Sequence, residues 1–195
     1  KIIGSYEAEL NEVLHQIIQN NYDVIIDVGC AEGYYAVGLA LKTNAAVFAY
    51  DTDENARKLC LEMATLNGVE QKIQIKEAFS IENIKVLDAA KKTLIICDCE
   101  GYEKTLFTKE SIPYLKKTDV LIETHDFLDL TISSTITALM TDSHVVQTIA
   151  SLDDNLKAKY YQYNEIMQQD IYIKKELLKE VRPCTMEWIW ATSKK

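Results

Sequence analysis

The chain has 195 residues, 48% of them hydrophobic, and 30 acidic side chains outnumber 21 basic ones for a net charge of −9. A chain this long buries roughly 70% of the surface it exposes when unfolded, enough for one domain with a full core. The acidic excess argues against nucleic acid as a partner, since basic residues form only short pairs such as Lys91-Lys92 and Lys116-Lys117. No apolar run approaches the ~20 residues of a membrane-spanning helix, so no membrane partner is expected.

In chain order, "YEAELNEVLHQIIQN" sets Leu10, Val13, Leu14, Ile17 and Ile18 at helical spacing, which predicts an N-terminal amphipathic helix reaching to about residue 20. "DVIIDVG" reads as a buried strand, "YYAVGLALK" as a helix and "AAVFAYD" as a second strand. "DENARKLCLEMATLNG" is a helix with Asp53 near its start and Asn67-Gly68 as its stop. "KIQIKEAF" alternates as a strand does, and "SIENIKVLDAAKK" is a weaker helix. "TLIICDCEG" is the fourth strand, followed by "YEKTLFTKESIPYLKK", read as mostly helical until Pro113. "DVLIETHD" is a fifth strand, "LTISSTITALM" a helix, and "HVVQTIA" and "TMEWIWATS" two closing strands. The stretch between those two, about residues 153–183, is charged, Tyr-rich and helical in pattern. Its tyrosines 160, 161, 163 and 172 suit a lid or acceptor pocket, or an amphipathic helix that packs its aromatics.

Strands alternating with helices imply right-handed crossovers and a parallel sheet covered on both faces, and near-continuous apolar strands agree. No repeat or linker interrupts residues 1–195, so one α/β domain is expected. The cysteines at 30, 60, 97, 99 and 184 form no CxxC pair and no finger-like zinc spacing. They read as reduced thiols of a cytoplasmic protein.

The stretch Asp27-Val28-Gly29-Cys30-Ala31-Glu32-Gly33 joins the first strand to the next helix, at the carboxyl edge where open parallel sheets bind ligands. Gly29 permits a tight turn, and a missing side chain lets backbone approach a ligand. A dinucleotide calls for GxGxxG, but Ala31 and Tyr34 occupy two of the three glycine positions. S-adenosylmethionine has no phosphate and carries an ammonium and a sulfonium, so an acid such as Asp27 suits it. Asp51, ending the second strand with Thr52 beside it, is placed to accept hydrogen bonds from both ribose hydroxyls. Both cofactors want that carboxylate, so it points to an adenosine ligand without choosing between them. Ala78 and Phe79, ending the third strand, are candidate adenine neighbours or ordinary core residues.

"DVGCAEG", "YDTDENARKLCLEMATLNGV", "LIICDCEGYEKTLF" and "VLIETHDF" together resemble class I S-adenosylmethionine-dependent methyltransferases, and most closely their FkbM-like branch. That branch ends its fourth strand in Asp-x-Glu-Gly-x-Glu, matched by Asp98-Cys99-Glu100-Gly101-Tyr102-Glu103. The resemblance, over about residues 20–130, implies a Rossmann-like, doubly wound seven-stranded sheet, mostly parallel with the last strand antiparallel. It also implies methyl transfer, often to hydroxyl oxygen. Ala31 stands where the family usually has its middle glycine.

Asp98, Glu100, Glu123, His125 and Asp126 belong to two strand ends near the expected transfer point. His125 is the natural base, Glu123 on the same strand face could orient it, and Asp98 would hold the methionyl end of the cofactor or the acceptor. The same cluster could instead bind Mg²⁺ and lower a hydroxyl's pKa. His15 and His144 read as structural or exposed. The strand-four pattern of amide and nucleobase amino methyltransferases, Asn/Asp-Pro-Pro-Tyr/Phe, is absent. The expected acceptor is therefore a small-molecule or glycan-type hydroxyl, with self-association into a homo-oligomer left open. An NAD-binding oxidoreductase and a non-catalytic methyltransferase-like binding module are the competing readings.

Overall fold

The computed structural model describes residues 4–161 and 164–194. Near-continuous apolar runs become the strands β1 (Val24–Val28), β2 (Ala46–Tyr50), β3 (Ile73–Lys76), β4 (Thr93–Cys97), β5 (Thr118–Thr124), β6 (His144–Ala150) and β7 (Glu187–Ser193). α1 (Asn11–Gln19) precedes them, and between them lie α2 (Tyr34–Lys42), α3 (Glu54–Leu66), α4 (Ile81–Lys85), α5 (Glu103–Leu106), α6 (Ile132–Met140), α7 (Asp154–Tyr160) and α8 (Ile171–Leu178). The strands form one sheet in the order β3-β2-β1-β4-β5-β7-β6. β7 runs antiparallel to both β5 and β6, while the pairings from β3 through β5 are parallel.

Successive side chains of a strand point to opposite faces, and the two cores follow that alternation. Ile25, Leu94, Ile96 and Leu121 pack with Val13 and Ile17 of α1, Leu39 of α2 and Cys60 of α3. Ile26, Ile95, Val120 and Ile122 pack with Ile84, Leu106, Ile136 and Met140 of α4, α5 and α6. Every residue of β5 is buried, which explains why its sequence does not alternate.

Local signals set most boundaries. The Asp53 carboxylate accepts the Asn55 amide and starts α3, and Gly68, at φ +66°, follows its end. The helix expected up to Pro113 is not formed. α5 has only four residues, and after it the Ser111 hydroxyl donates to the Leu106 carbonyl at 2.5 Å and accepts the Thr108 amide at 2.9 Å. Side chains that satisfy backbone groups locally in this way compete with helix continuation.

The Tyr-rich stretch contains α7 and α8. Tyr172 is 80% exposed and Tyr160 61% exposed, so the expectation that this stretch packs its aromatics is wrong for both. Tyr160 and Tyr161 instead border a cavity of about 390 Å³ between α7 and the N-terminal segment, and Tyr163 lies outside the described residues.

Candidate functional site

The strand order reverses between β1 and β4, which opens a crevice at their carboxyl ends. Gly29 sits there at φ +83°, and a Cβ on it would stand 1.7 Å from the Asp98 carbonyl oxygen. Only glycine fits between the two strand ends. The amides of Gly29 and Cys30 both donate to the Tyr50 carbonyl, at 2.8 and 3.0 Å, which ties the loop to β2. The Asp51 carboxylate accepts the Ala31 amide on Oδ2 and the Asp53 amide on Oδ1, each at 2.9 Å. Ala31 adopts φ +44°, a left-handed conformation that strains a residue with a Cβ.

Gly33 serves a different purpose from the one its place in the loop suggests. A Cβ on it would lie 2.9 Å from Cys60 Sγ and 3.0 Å from a Val37 methyl, so the glycine lets α2 pack on α3. Asp27 is likewise behind the crevice wall: it is 1% exposed, and its Oδ2 accepts the Ala36 amide at 2.9 Å, bracing the first turn of α2. Burial, with Asp98 and Asp51 adding to it, pushes its carboxyl up to about 7. Cys30 is buried and Glu32 half-buried.

The crevice has a volume of about 560 Å³, within the range of small-molecule sites. Of the residues expected to hold the cofactor, Gly29, Ala31, Asp51, Thr52, Ala78, Phe79 and Asp98 line it, and Asp27, Cys30, Glu32 and Gly33 do not. Tyr50, Glu77, Cys99, Glu100 and Tyr102 also line it. Tyr50 meets Phe79 edge-on, with ring centroids 5.0 Å apart, and makes one apolar wall beside the Asp51 carboxylate.

The acids and the histidine converge beside this crevice. His125 is 2% exposed, and its backbone amide and Nδ1 both reach Glu103 Oε1, at 2.9 and 3.1 Å. Glu103 is fully buried, and its Oε2 accepts the Gly101 amide at 2.8 Å. The opposite ring nitrogen, Nε2, lies 3.4 Å from Glu100, 3.6 Å from Asp98 and 3.7 Å from Glu123. Glu103, not Glu123, is thus the carboxylate on Nδ1, which corrects the expected orienting partner. Burial alone would lower the His125 pKa, but Glu103, Asp98 and Glu100 outweigh it and raise it. Burial and the neighbouring Asp98 push the Glu123 carboxyl up to about 10, so it holds a proton near neutrality.

Asp126 faces away and accepts the Ser133 amide at 2.8 Å. His144 is buried, with Nε2 3.0 Å from the Thr118 carbonyl, and His15 is exposed. Asp98, Glu123 and His125 each bring one ligand atom to within 4.8 Å of the others. An imidazole in that set suits a transition ion better than Mg²⁺, which prefers oxygen throughout.

Behind Glu123, Arg182 connects the Tyr-rich stretch to the site. Its guanidinium lies 2.7 Å from Glu180, 3.1 Å from Glu9, and 3.7 Å from both Glu7 and Glu123. Lys157 of α7 pairs with the same Glu180. Burial pushes the Glu7 carboxyl up to about 8.

Residues 10–99 match the family model described as ribosomal protein L11 methyltransferase (PrmA). The chain is 28% identical over 109 residues to the ribosomal protein L11 methyltransferase of Lactococcus lactis subsp. lactis (strain IL1403), a match covering 56% of this chain and 33% of that protein. It therefore spans about a third of the length of that curated relative. A putative O-methyltransferase from Klebsiella pneumoniae superposes with a TM-score of 0.60 at 11% identity, over 95% of this chain and 79% of that one. A putative rRNA-methylase from Clostridium thermocellum superposes with a TM-score of 0.58 at 13% identity, over 93% of this chain and 97% of that one. Sheet order, the antiparallel β7 and these likenesses agree: the chain has the class I S-adenosylmethionine-dependent methyltransferase fold.

Proposed function

We propose that the chain binds S-adenosylmethionine in the crevice beside β1 and β4 and transfers its methyl group to the hydroxyl oxygen of a small-molecule acceptor. The observation that carries this reading is His125, buried at the end of β5 with Nδ1 on Glu103 and Nε2 turned toward Asp98. The acceptor oxygen would attack the methyl carbon in line with the departing sulfur, and its proton would pass to Nε2. Glu103 keeps a proton on Nδ1, which leaves Nε2 as the basic nitrogen. Asp51 is available to the ribose hydroxyls and the Tyr50–Phe79 wall to the adenine. The Asp98-to-Glu103 pattern supports placement in the FkbM-like branch.

The matched family segment ends at Cys99, before Glu103, Glu123 and His125. It supports the cofactor half and leaves the acceptor to the strand-end residues. The NAD-linked reading is not favoured, because the loop departs from GxGxxG and the matching family model and the curated relative are methyltransferases.

Calorimetry with S-adenosylhomocysteine and NAD, followed by transfer of labelled methyl from the cofactor into metabolite extracts, tests the proposal. Binding of the first ligand and labelling that His125→Ala abolishes are expected. Binding of NAD alone would overturn it. Loss of labelling in EDTA, restored by a divalent ion, would replace the base by a metal.

A further inference from the structure

We propose that Cys97 and Cys99 form an oxidisable dithiol at the floor of the crevice, and that their disulfide opposes occupancy of the crevice by the cofactor. The Cys97 and Cys99 sulfurs are 3.2 Å apart. Cys97 is fully buried at the end of β4, while Cys99 is half-buried and lines the crevice. A small oxidant entering the empty crevice therefore meets Cys99 first, with a second thiol already in contact behind it.

The chemistry needs a hydroperoxide as oxidant. The Cys99 thiolate attacks one peroxide oxygen, the O–O bond breaks, hydroxide departs, and Cys99 becomes a sulfenic acid. The Cys97 sulfur then attacks the Cys99 sulfur and displaces hydroxide, which takes the Cys97 proton to leave as water. Two thiols and one hydrogen peroxide thus give one disulfide and two waters.

The Cys99 thiol donates to Glu103 Oε2 at 3.7 Å, which holds its sulfur beside Cys97.

Asp98, the residue between the two cysteines, makes the disulfide matter. A disulfide draws its sulfurs to about 2.05 Å, roughly 1 Å closer than they stand here. The Asp98 carbonyl already fills the space where Gly29 would carry a Cβ, and its carboxylate lies 3.6 Å from His125 Nε2. Tightening the Cys97–Cys99 bridge therefore moves a residue that borders both the cofactor and the transfer point. Linkage makes the effect reciprocal at equilibrium, so a bound cofactor disfavours the disulfide, and by filling the crevice that Cys99 lines it also slows the oxidant's approach. Cys30 and Cys60 are both buried and absent from the crevice wall, and Cys184 is exposed beside Met186.

This linkage rests on the cofactor reading of the crevice, and the experiment separates the two. Full-chain Cys184→Ser protein is treated with hydrogen peroxide with and without S-adenosylhomocysteine, blocked with N-ethylmaleimide, and digested with trypsin. The Thr93–Lys104 peptide is expected two hydrogens lighter and unalkylated, while Cys97→Ser protein stops at a Cys99 sulfenic acid that dimedone traps. Bound S-adenosylhomocysteine should slow the reaction, and oxidised protein should bind it about tenfold more weakly until dithiothreitol restores affinity. A disulfide mapped to Cys30–Cys60, or free Cys97 and Cys99 after peroxide, overturns the site. A Cys97–Cys99 disulfide with unchanged affinity overturns the linkage. Reduced protein that does not bind S-adenosylhomocysteine overturns the linkage through the cofactor reading, and the peptide mass still decides the disulfide.

Discussion

Glu103 holds His125 at two points, accepting its backbone amide at 2.9 Å and its Nδ1 at 3.1 Å on a single carboxylate oxygen. The paired contact fixes both the strand end and the ring. Because carboxylates surround His125 and raise its pKa, methyl transfer should increase with pH through an inflection above the ordinary histidine value of about 6.5. Glu103→Gln keeps an oxygen for Nδ1–H and removes the charge, so its inflection should fall to lower pH. His125→Ala should lose on the order of 10²–10⁴-fold in turnover with S-adenosylhomocysteine affinity nearly intact. Rate profiles from pH 5 to 9 check both expectations, and unchanged profiles would remove His125 from the mechanism.

The two glycines of the loop should fail in different ways. Gly29→Ala drives a methyl group into the Asp98 carbonyl and should lose cofactor binding together with about 2–4 kcal/mol of stability. Gly33→Ala presses on Cys60 and Val37 instead. It should cost about 1–3 kcal/mol yet leave affinity unchanged in the folded fraction. Adding Cys60→Ala, which removes the nearest sulfur, should recover part of that loss. Urea unfolding and calorimetry on the three variants separate the roles.

Ala31→Gly tests the strain at φ +44°. A left-handed alanine costs about 1–2 kcal/mol, and glycine's looser unfolded chain cancels roughly half of that. A net gain of about 0.5–1 kcal/mol in urea is expected, with the Asp51 contact retained.

Stability should fall as pH rises. Asp27, Glu7 and Glu123 have folded pKa values of about 7, 8 and 10 against ordinary values of 3.8, 4.5 and 4.5. Unfolded carboxyls release protons from about pH 4, while the folded ones retain theirs. Their contribution is therefore fully present below about pH 4 and is lost progressively up to pH 7 for Asp27 and higher for the two glutamates. Asp27→Asn still accepts the Ala36 amide and should flatten the curve between pH 4 and 7. Urea midpoints at pH 5 and 8 provide the test.

The sheet was legible because its signal is local. Buried strands, helix periods and the Gly29 turn occur within a few residues, and Asp51 is recognised by its place at the end of a strand. Glu103 as the partner of His125 was not legible, since 22 residues separate them and the contact exists only once β4 and β5 are neighbours. Gly33 misled for the same reason: its neighbour Cys60 belongs to another helix. The overlong helix before Pro113 came from a period that Ser111 and Thr108 override with hydrogen bonds of their own.

β7 pairs with β5 on one side and β6 on the other, although it is made after both. During synthesis those two strands must wait with unpaired edges until Glu187–Ser193 has left the ribosome. Waiting edges are templates for pairing with other chains. Slow translation through the preceding 153–183 stretch would lengthen that exposure. A stop codon placed before β7 would leave β6 without a neighbour in the sheet, so an early termination product should aggregate rather than survive as a slightly shorter protein.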